Sequence, residues 1–170
     1  MRWQVAEDGP AHARLYWQRE DDDAGGFPAG IYTTNAPEQC QYIAEHSESQ
    51  IAVVEDQAQL DKFLEIRDQL PALKAIVLMF GDHADEAVHS WADVLALGEQ
   101  QDDAALESRI QAQGPDDVCT LIYTSGTTGQ PKAVMISHDN ITLTAKQALD
   151  TIGSSHEDRF ISYLPFSHIA

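Results

Sequence analysis

The chain has 170 residues and is 43% hydrophobic, with ten glycines and seven prolines. That composition excludes a disordered polymer and gives a single domain with a buried core. A formal net charge of −18 repels nucleic acid and anionic lipid at long range, and it excludes both as expected partners. Any site for an anion must therefore differ locally from the average surface. Cys40 and Cys119 supply neither a disulfide framework nor a metal set. They read as small buried hydrophobes, in keeping with a reducing compartment.

Residues 1–24 carry charge clusters, including Glu20, Asp21, Asp22 and Asp23, and show no clear period. They read as a divergent or disordered N-terminal segment, without the apolar core of a signal peptide. From Gly25 the pattern becomes regular. Residues 30–34 predict a short strand, and Asn35 and Pro37 then start a helix that runs to His46. The β-branched run 51–55 predicts a buried strand. Asp56 and Gln59 resemble a capping box, and Leu60, Phe63 and Leu64 form the helical stripe behind it, which Pro71 ends. Residues 75–80 predict another buried strand, stopped by Gly81. They are the longest apolar run, far short of a membrane span. Short helices follow over 91–97 and 103–111, then strands over 118–124 and 133–136.

Asp139 or Asn140 can cap a last helix, whose Ile141, Ala145, Ala148, Leu149 and Ile152 share one face. Residues 159–164 predict a final strand. The alternation of strand and helix predicts an α/β fold: a partial Rossmann-like, mostly parallel sheet with flanking helices. Residues 163–170 end the chain on a strand leading into a Pro-aromatic-His turn, with no helix cap or polar tail. The expectation is a truncated piece of a larger domain.

Between two apolar strands lies Tyr123-Thr124-Ser125-Gly126-Thr127-Thr128-Gly129-Gln130-Pro131-Lys132. Its two glycines permit a tight turn and close approach of the backbone to a ligand. Successive amides in such a loop form an anion-binding nest, to which Thr124, Ser125, Thr127 and Thr128 add hydroxyl donors. Lys132 adds a mobile positive charge suited to phosphate. Residues 118–138 contain no Asp or Glu, whereas an even spread of the chain's 28 acids would place about three there. Two buried strands would show the same gap. The spacing is neither G-x-x-x-x-G-K-[ST], since Pro131 stands five residues after Gly126 and Ala133 follows Lys132, nor G-x-G-x-x-G, nor G-x-S-x-G. The histidines His12, His46, His83, His89, His138 and His156 lack metal-ligand spacing, His83 and His89 standing six apart across an expected loop, and all six read as surface or structural groups.

The run 123–140, YTSGTTGQPKAVMISHDN, resembles the phosphate-loop signature of the adenylate-forming superfamily, which includes acyl-CoA synthetases, luciferases and peptide-synthetase adenylation domains. Residues 163–170, YLPFSHIA, are similar to the next such stretch in fatty acyl-CoA synthetases. Residues 25–42, GGFPAGIYTTNAPEQCQY, and 70–75, LPALKA, resemble the bubblegum-type long-chain synthetases. The resemblance covers 25–170, read as a partial AMP-binding (adenylation) domain.

It implies a fatty acid–CoA ligase in which a fatty acid carboxylate attacks the α-phosphate of ATP, with Mg2+ present. Acyl-AMP and pyrophosphate result, and CoA then displaces AMP. By position, Thr124, Ser125, Gly126, Thr127, Thr128, Gly129 and Lys132 would hold the β- and γ-phosphates. His168 would lie near the acyl and adenylate pocket, or else serve as a hydrogen-bonded structural histidine. The resemblance also implies that the adenine-binding loop, the magnesium-coordinating Glu, the ribose-binding Asp and the C-terminal catalytic Lys lie beyond Ala170. No metal ligand is therefore expected in this fragment, and the 170-residue chain is expected to be inactive alone.

The family usually has Gly where this chain has Ala133. Were φ positive there, Ala would cost about 1 kcal/mol or more. Two alternatives stay open: a non-catalytic remnant of the fold, and an adenylate-forming ligase for another carboxylic acid. The implied partners are fatty acid, ATP and CoA, with no nucleic acid and no transmembrane segment. The implied location is cytoplasmic, or peripheral on a membrane.

Overall fold

The computed structural model describes residues 14–16, 26–100, 103–124, 129–153 and 159. In chain order these form β1 (Arg14–Tyr16), β2 (Pro28–Gly30), α1 (Pro37–His46), β3 (Ile51–Val54), α2 (Gln57–Ile66) with a 3-10 turn (Arg67–Gln69), and β4 (Ala75–Leu78). Then come β5 (Val88–Ser90), α3 (Trp91–Glu99), α4 (Asp103–Ala112), β6 (Val118–Thr124), β7 (Lys132–Ser137) and α5 (His138–Ile152). The predicted strand at 159–164 falls outside the described residues, apart from Arg159.

The strands make one sheet in the order β5-β4-β3-β1-β2-β6-β7. β3, β4 and β5 pair in parallel, as do β2 and β6. β1 is antiparallel to both β2 and β3, and β7 is antiparallel to β6. Five strands thus run one way and two oppose them, which is the mostly parallel α/β sheet expected. The β6–β7 exception follows from chain length. Seven loop residues close a hairpin, whereas a parallel crossover needs about a dozen or more.

Local chemistry explains the helices. Pro37 opens α1 with its fixed φ, and the Gln39 side chain reaches back to accept the Ala36 amide at 2.9 Å. The cap position is thus Ala36 and not Asn35. At α2, Asp56 accepts from the Gln59 amide at 3.0 Å. Cys40, Ile43 and Ala44 of α1 and Leu60, Phe63 and Ile66 of α2 are buried in the same cluster as Ala52 and Val54 of β3 and Ile76 and Leu78 of β4. Val53 and Val77, on the other face by strand alternation, are buried too. Both central strands are covered on both faces, which explains their unbroken apolar runs. Lys62 of α2 donates to the carbonyls of Thr33 and Asn35 at 2.7 and 2.9 Å, fixing the approach to α1.

Four expectations need correction. The strand predicted at 30–34 lies earlier, at Pro28–Gly30, because Thr33 and Thr34 form a turn closed by Asn35 N to Tyr32 O at 2.9 Å. The last helix is capped by Ser137, with Asn140 answering it in a capping box. The neighbourhood of His89, read as loop, is β5. Arg14–Tyr16 form a strand, so the disordered reading of 1–24 does not hold for these three residues; two neighbours take up their backbone groups.

Candidate functional site

The hairpin of β6 and β7 presents the Gly/Thr loop at its tip, with Thr124 and Lys132 as its closing pair. Both residues are exposed. Gly129 has φ of 97°, and a Cβ built on it would meet nothing within 4 Å. A side chain there would be strained, and the backbone is open on that side. Ser125, Gly126, Thr127, Thr128 and His168 lie outside the described residues. Ala133, where the sequence raised a question of strain, pairs with Tyr123 inside β7 and is not among the positive-φ residues. The anticipated cost of a side chain at that position does not arise.

Helix α1 grips this hairpin at both ends of the loop. The Tyr42 hydroxyl donates to the Pro131 carbonyl at 2.9 Å, just before Lys132. One turn later, His46 Nδ1 lies 2.8 Å from the Tyr123 hydroxyl, just before Thr124. Spacing of i and i+4 puts both side chains on one face of α1. The three rings also touch: Tyr42 and His46 tilt together at 5.5 Å, and Tyr123 meets each of them edge-on. Burial pushes the Tyr123 phenol up to about 12, with the Ser47 hydroxyl working against that shift. The phenol is therefore protonated at neutral pH, and the direction of its bond to His46 follows the imidazole tautomer. Beneath it, Ser47 Oγ donates to the Ile43 carbonyl at 2.7 Å and lies 2.6 Å from Ser49 Oγ, so both buried hydroxyls are satisfied.

Sequence reasoning placed His46 among the surface or structural groups and did not single out Tyr42. An aromatic and a histidine at i, i+4 on a predicted helix was the available signal, but nothing in the pattern named their partners 89 and 77 residues away.

The hairpin carries no carboxylate between Asp117 and Asp139, and these two lie at its far end, about 20 Å along the strands from the loop. Asp117 is occupied there in accepting the Gly114 amide at 2.6 Å. Among the described residues, no group of three or more His, Cys, Asp or Glu side chains is placed to hold a metal ion. Burial raises the Cys40 and Cys119 thiols, and Cys119 Sγ donates to the Ile136 carbonyl at 3.2 Å. Cys40 is buried, as expected, whereas Cys119 is only half-buried.

A family model described as AMP-binding enzyme matches residues 23–170. The chain belongs to the AMP-binding enzyme family. Within that family its relatives include the long-chain-fatty-acid–CoA ligase ACSBG2 of Xenopus laevis, 49% identical over 154 residues, which cover 86% of this chain and 21% of the relative. The ACSBG1 ligase of Homo sapiens is 44% identical over 153 residues, with 86% and 21% covered. The likeness to bubblegum-type ligases expected from the sequence is borne out. The chain spans about a fifth of the length of the curated relatives it matches. Among solved structures it resembles the anthranilate CoA ligase AuaEII in complex with anthranoyl-AMP (TM-score 0.59, 31% identity, 69% of this chain and 21% of that one). It shares its fold with the long-chain-fatty-acid–CoA ligase FadD1 from Archaeoglobus fulgidus (TM-score 0.58, 23% identity, 76% and 24% covered).

Proposed function

We propose that residues 25–170 are the part of a long-chain fatty acid–CoA ligase's adenylation domain that holds the phosphate tail of ATP. The observation that carries this reading is the loop between Thr124 and Lys132: open at Gly129, free of carboxylates and tied down at both ends. Thr124, Ser125, Gly126, Thr127, Thr128 and Gly129 would supply amide and hydroxyl donors to the β- and γ-phosphates, and Lys132 a positive charge. A fatty acid oxygen forms a bond to the α-phosphorus while the bond to the bridging oxygen breaks, and the electron pair leaves with pyrophosphate. Donors held in place at the loop stabilise that departing charge without reorganising. The CoA thiol then attacks the acyl carbonyl, loses its proton and expels AMP. His168 is assigned to the acyl and adenylate pocket.

ATP, fatty acid and CoA are the partners in this reading, with Mg2+ as cofactor. The described residues do not provide a magnesium site, so no step is assigned to the metal here. The identity to long-chain ligases over most of the chain favours a fatty acid over an aryl or amino acid. No helix among the described residues is long and apolar enough to cross a membrane; the location assigned is the cytoplasm or a membrane surface.

The test uses a chimera in which residues 25–170 replace the matching fifth of the Xenopus laevis ligase. The chimera is expected to join oleate to CoA. Lys132→Ala in it should lower kcat/KM for ATP about a hundredfold. An active chimera indifferent to that substitution would remove the phosphate role, and an inactive but folded chimera would favour a non-catalytic remnant. The 170-residue polypeptide by itself is expected to show no ATP–pyrophosphate exchange with palmitate or oleate, and enzyme-like exchange would refute this.

A further inference from the structure

We infer that Tyr42 and His46 are positioning residues for the phosphate loop: one turn of α1 clasps the loop's two ends and sets the spacing between Thr124 and Lys132. The inference rests on the phosphate reading above. Tyr42 takes the Pro131 carbonyl at 2.9 Å, and His46 takes the Tyr123 hydroxyl at 2.8 Å. The carbonyl lies at the end of the loop, one residue before Lys132. Tyr123, whose phenol reaches α1, stands at its start, one residue before Thr124. The strand pairing closes the hairpin below the loop, and Leu121, Tyr123 and Ala133 pack its stem against the core. The two side-chain bonds add a hold at both ends of the loop, because they tie it to a helix whose other face is buried through Cys40, Ile43 and Ala44. Lys62 fixes the approach to the same helix through the Thr33 and Asn35 carbonyls. A chain of rigid groups therefore runs from α2 through α1 to both sides of the loop. A preorganised anion site needs this kind of support, since small displacements of its donors weaken their grip on developing charge.

Hydrogen exchange on the 170-residue chain tests the clasp directly. Tyr42→Phe keeps the ring and loses only the hydroxyl. It should speed amide exchange in residues 129–134 about fivefold, the value of one net hydrogen bond, while β3 and β4 exchange as before. His46→Ala should act likewise on residues 122–124, and His46→Asn, which keeps a polar atom near the place of Nδ1, should restore slow exchange. Tripolyphosphate, the tail of ATP without its nucleoside, should protect the hairpin of the unsubstituted chain and protect Tyr42→Phe about fivefold more weakly. Unchanged exchange at the hairpin in Tyr42→Phe overturns the clasp. A rise spread evenly over β3, β4 and β6 overturns it as well, by showing a role in general stability alone. An unsubstituted hairpin that tripolyphosphate leaves unprotected overturns the phosphate reading, and the positioning role with it, whatever the exchange result for the clasp.

Discussion

Ala133 shows how one residue changes meaning between sequence and structure. Set against a family glycine it suggested strain; in the fold it lies in an extended strand opposite Tyr123 and packs against the core. Ala133→Gly is therefore expected to destabilise, by about 0.5–1 kcal/mol, because glycine in a strand interior loses entropy and contact without relieving anything. Urea denaturation measures this, and a gain in stability would contradict the strand assignment. Tyr123 gives a second expectation. Its ionisation is raised by burial to about 12 from an ordinary value of 10, so the folded state keeps the proton longer than the unfolded one. The stability it contributes is fully present below pH 10 and is lost as pH rises toward 12. Melting temperature should fall across that window, and Tyr123→Phe should flatten the fall. An equally steep fall in that variant would place the cause elsewhere.

Caps and packed faces set the helices. Ser137→Ala should cost about 1 kcal/mol, since it removes the bond to the Asn140 amide. Asp139→Ala should cost only a few tenths, through its place near the positive end of the helix. The reverse order would restore the cap to Asp139. Phe63→Ala, at a site that is 1% exposed, should cost about 3–5 kcal/mol. α2 and α5 were legible because several periodic positions and a start signal agree on each, and α1 because Pro37 marks its start. β3 and β4 were legible because four apolar residues in a row have few other uses, and β6 because its seven residues are rich in β-branched and aromatic side chains. β1 and β5 were not, since three residues are too few to show a period of two. β2 was read too late because Ile31 is as buried as a strand residue although the strand ends before it and Thr33 and Thr34 turn. At the site, the loop's composition named its chemistry, but the clasp from α1 depends on contacts far apart in the chain. No local pattern encodes them.

At the scale of the whole molecule, α5 forms as predicted, but its apolar face is uncovered: Ile141, Leu149 and Ile152 are 42%, 52% and 69% exposed. β7 ends the sheet in the strand order, with Val134 and Met135 exposed. An apolar edge of this kind recruits other chains. The 170-residue polypeptide is expected to self-associate in sedimentation velocity, and Val134→Lys should shift it toward the monomer; a clean monomer without that change would contradict this. Strand order carries one more consequence. Between β2 and β3 runs a seam, bridged among the described residues by β1 alone. On one side lie β3, β4 and β5; on the other lies the loop-bearing hairpin. Trimming the chain ahead of Gly25 would cut that bridge and leave the two banks joined by α1, with its Tyr42 and His46 bonds, and by the core in which Ala29, Ile31, Leu121 and Tyr123 cluster with Ala52, Val54, Ile76 and Leu78.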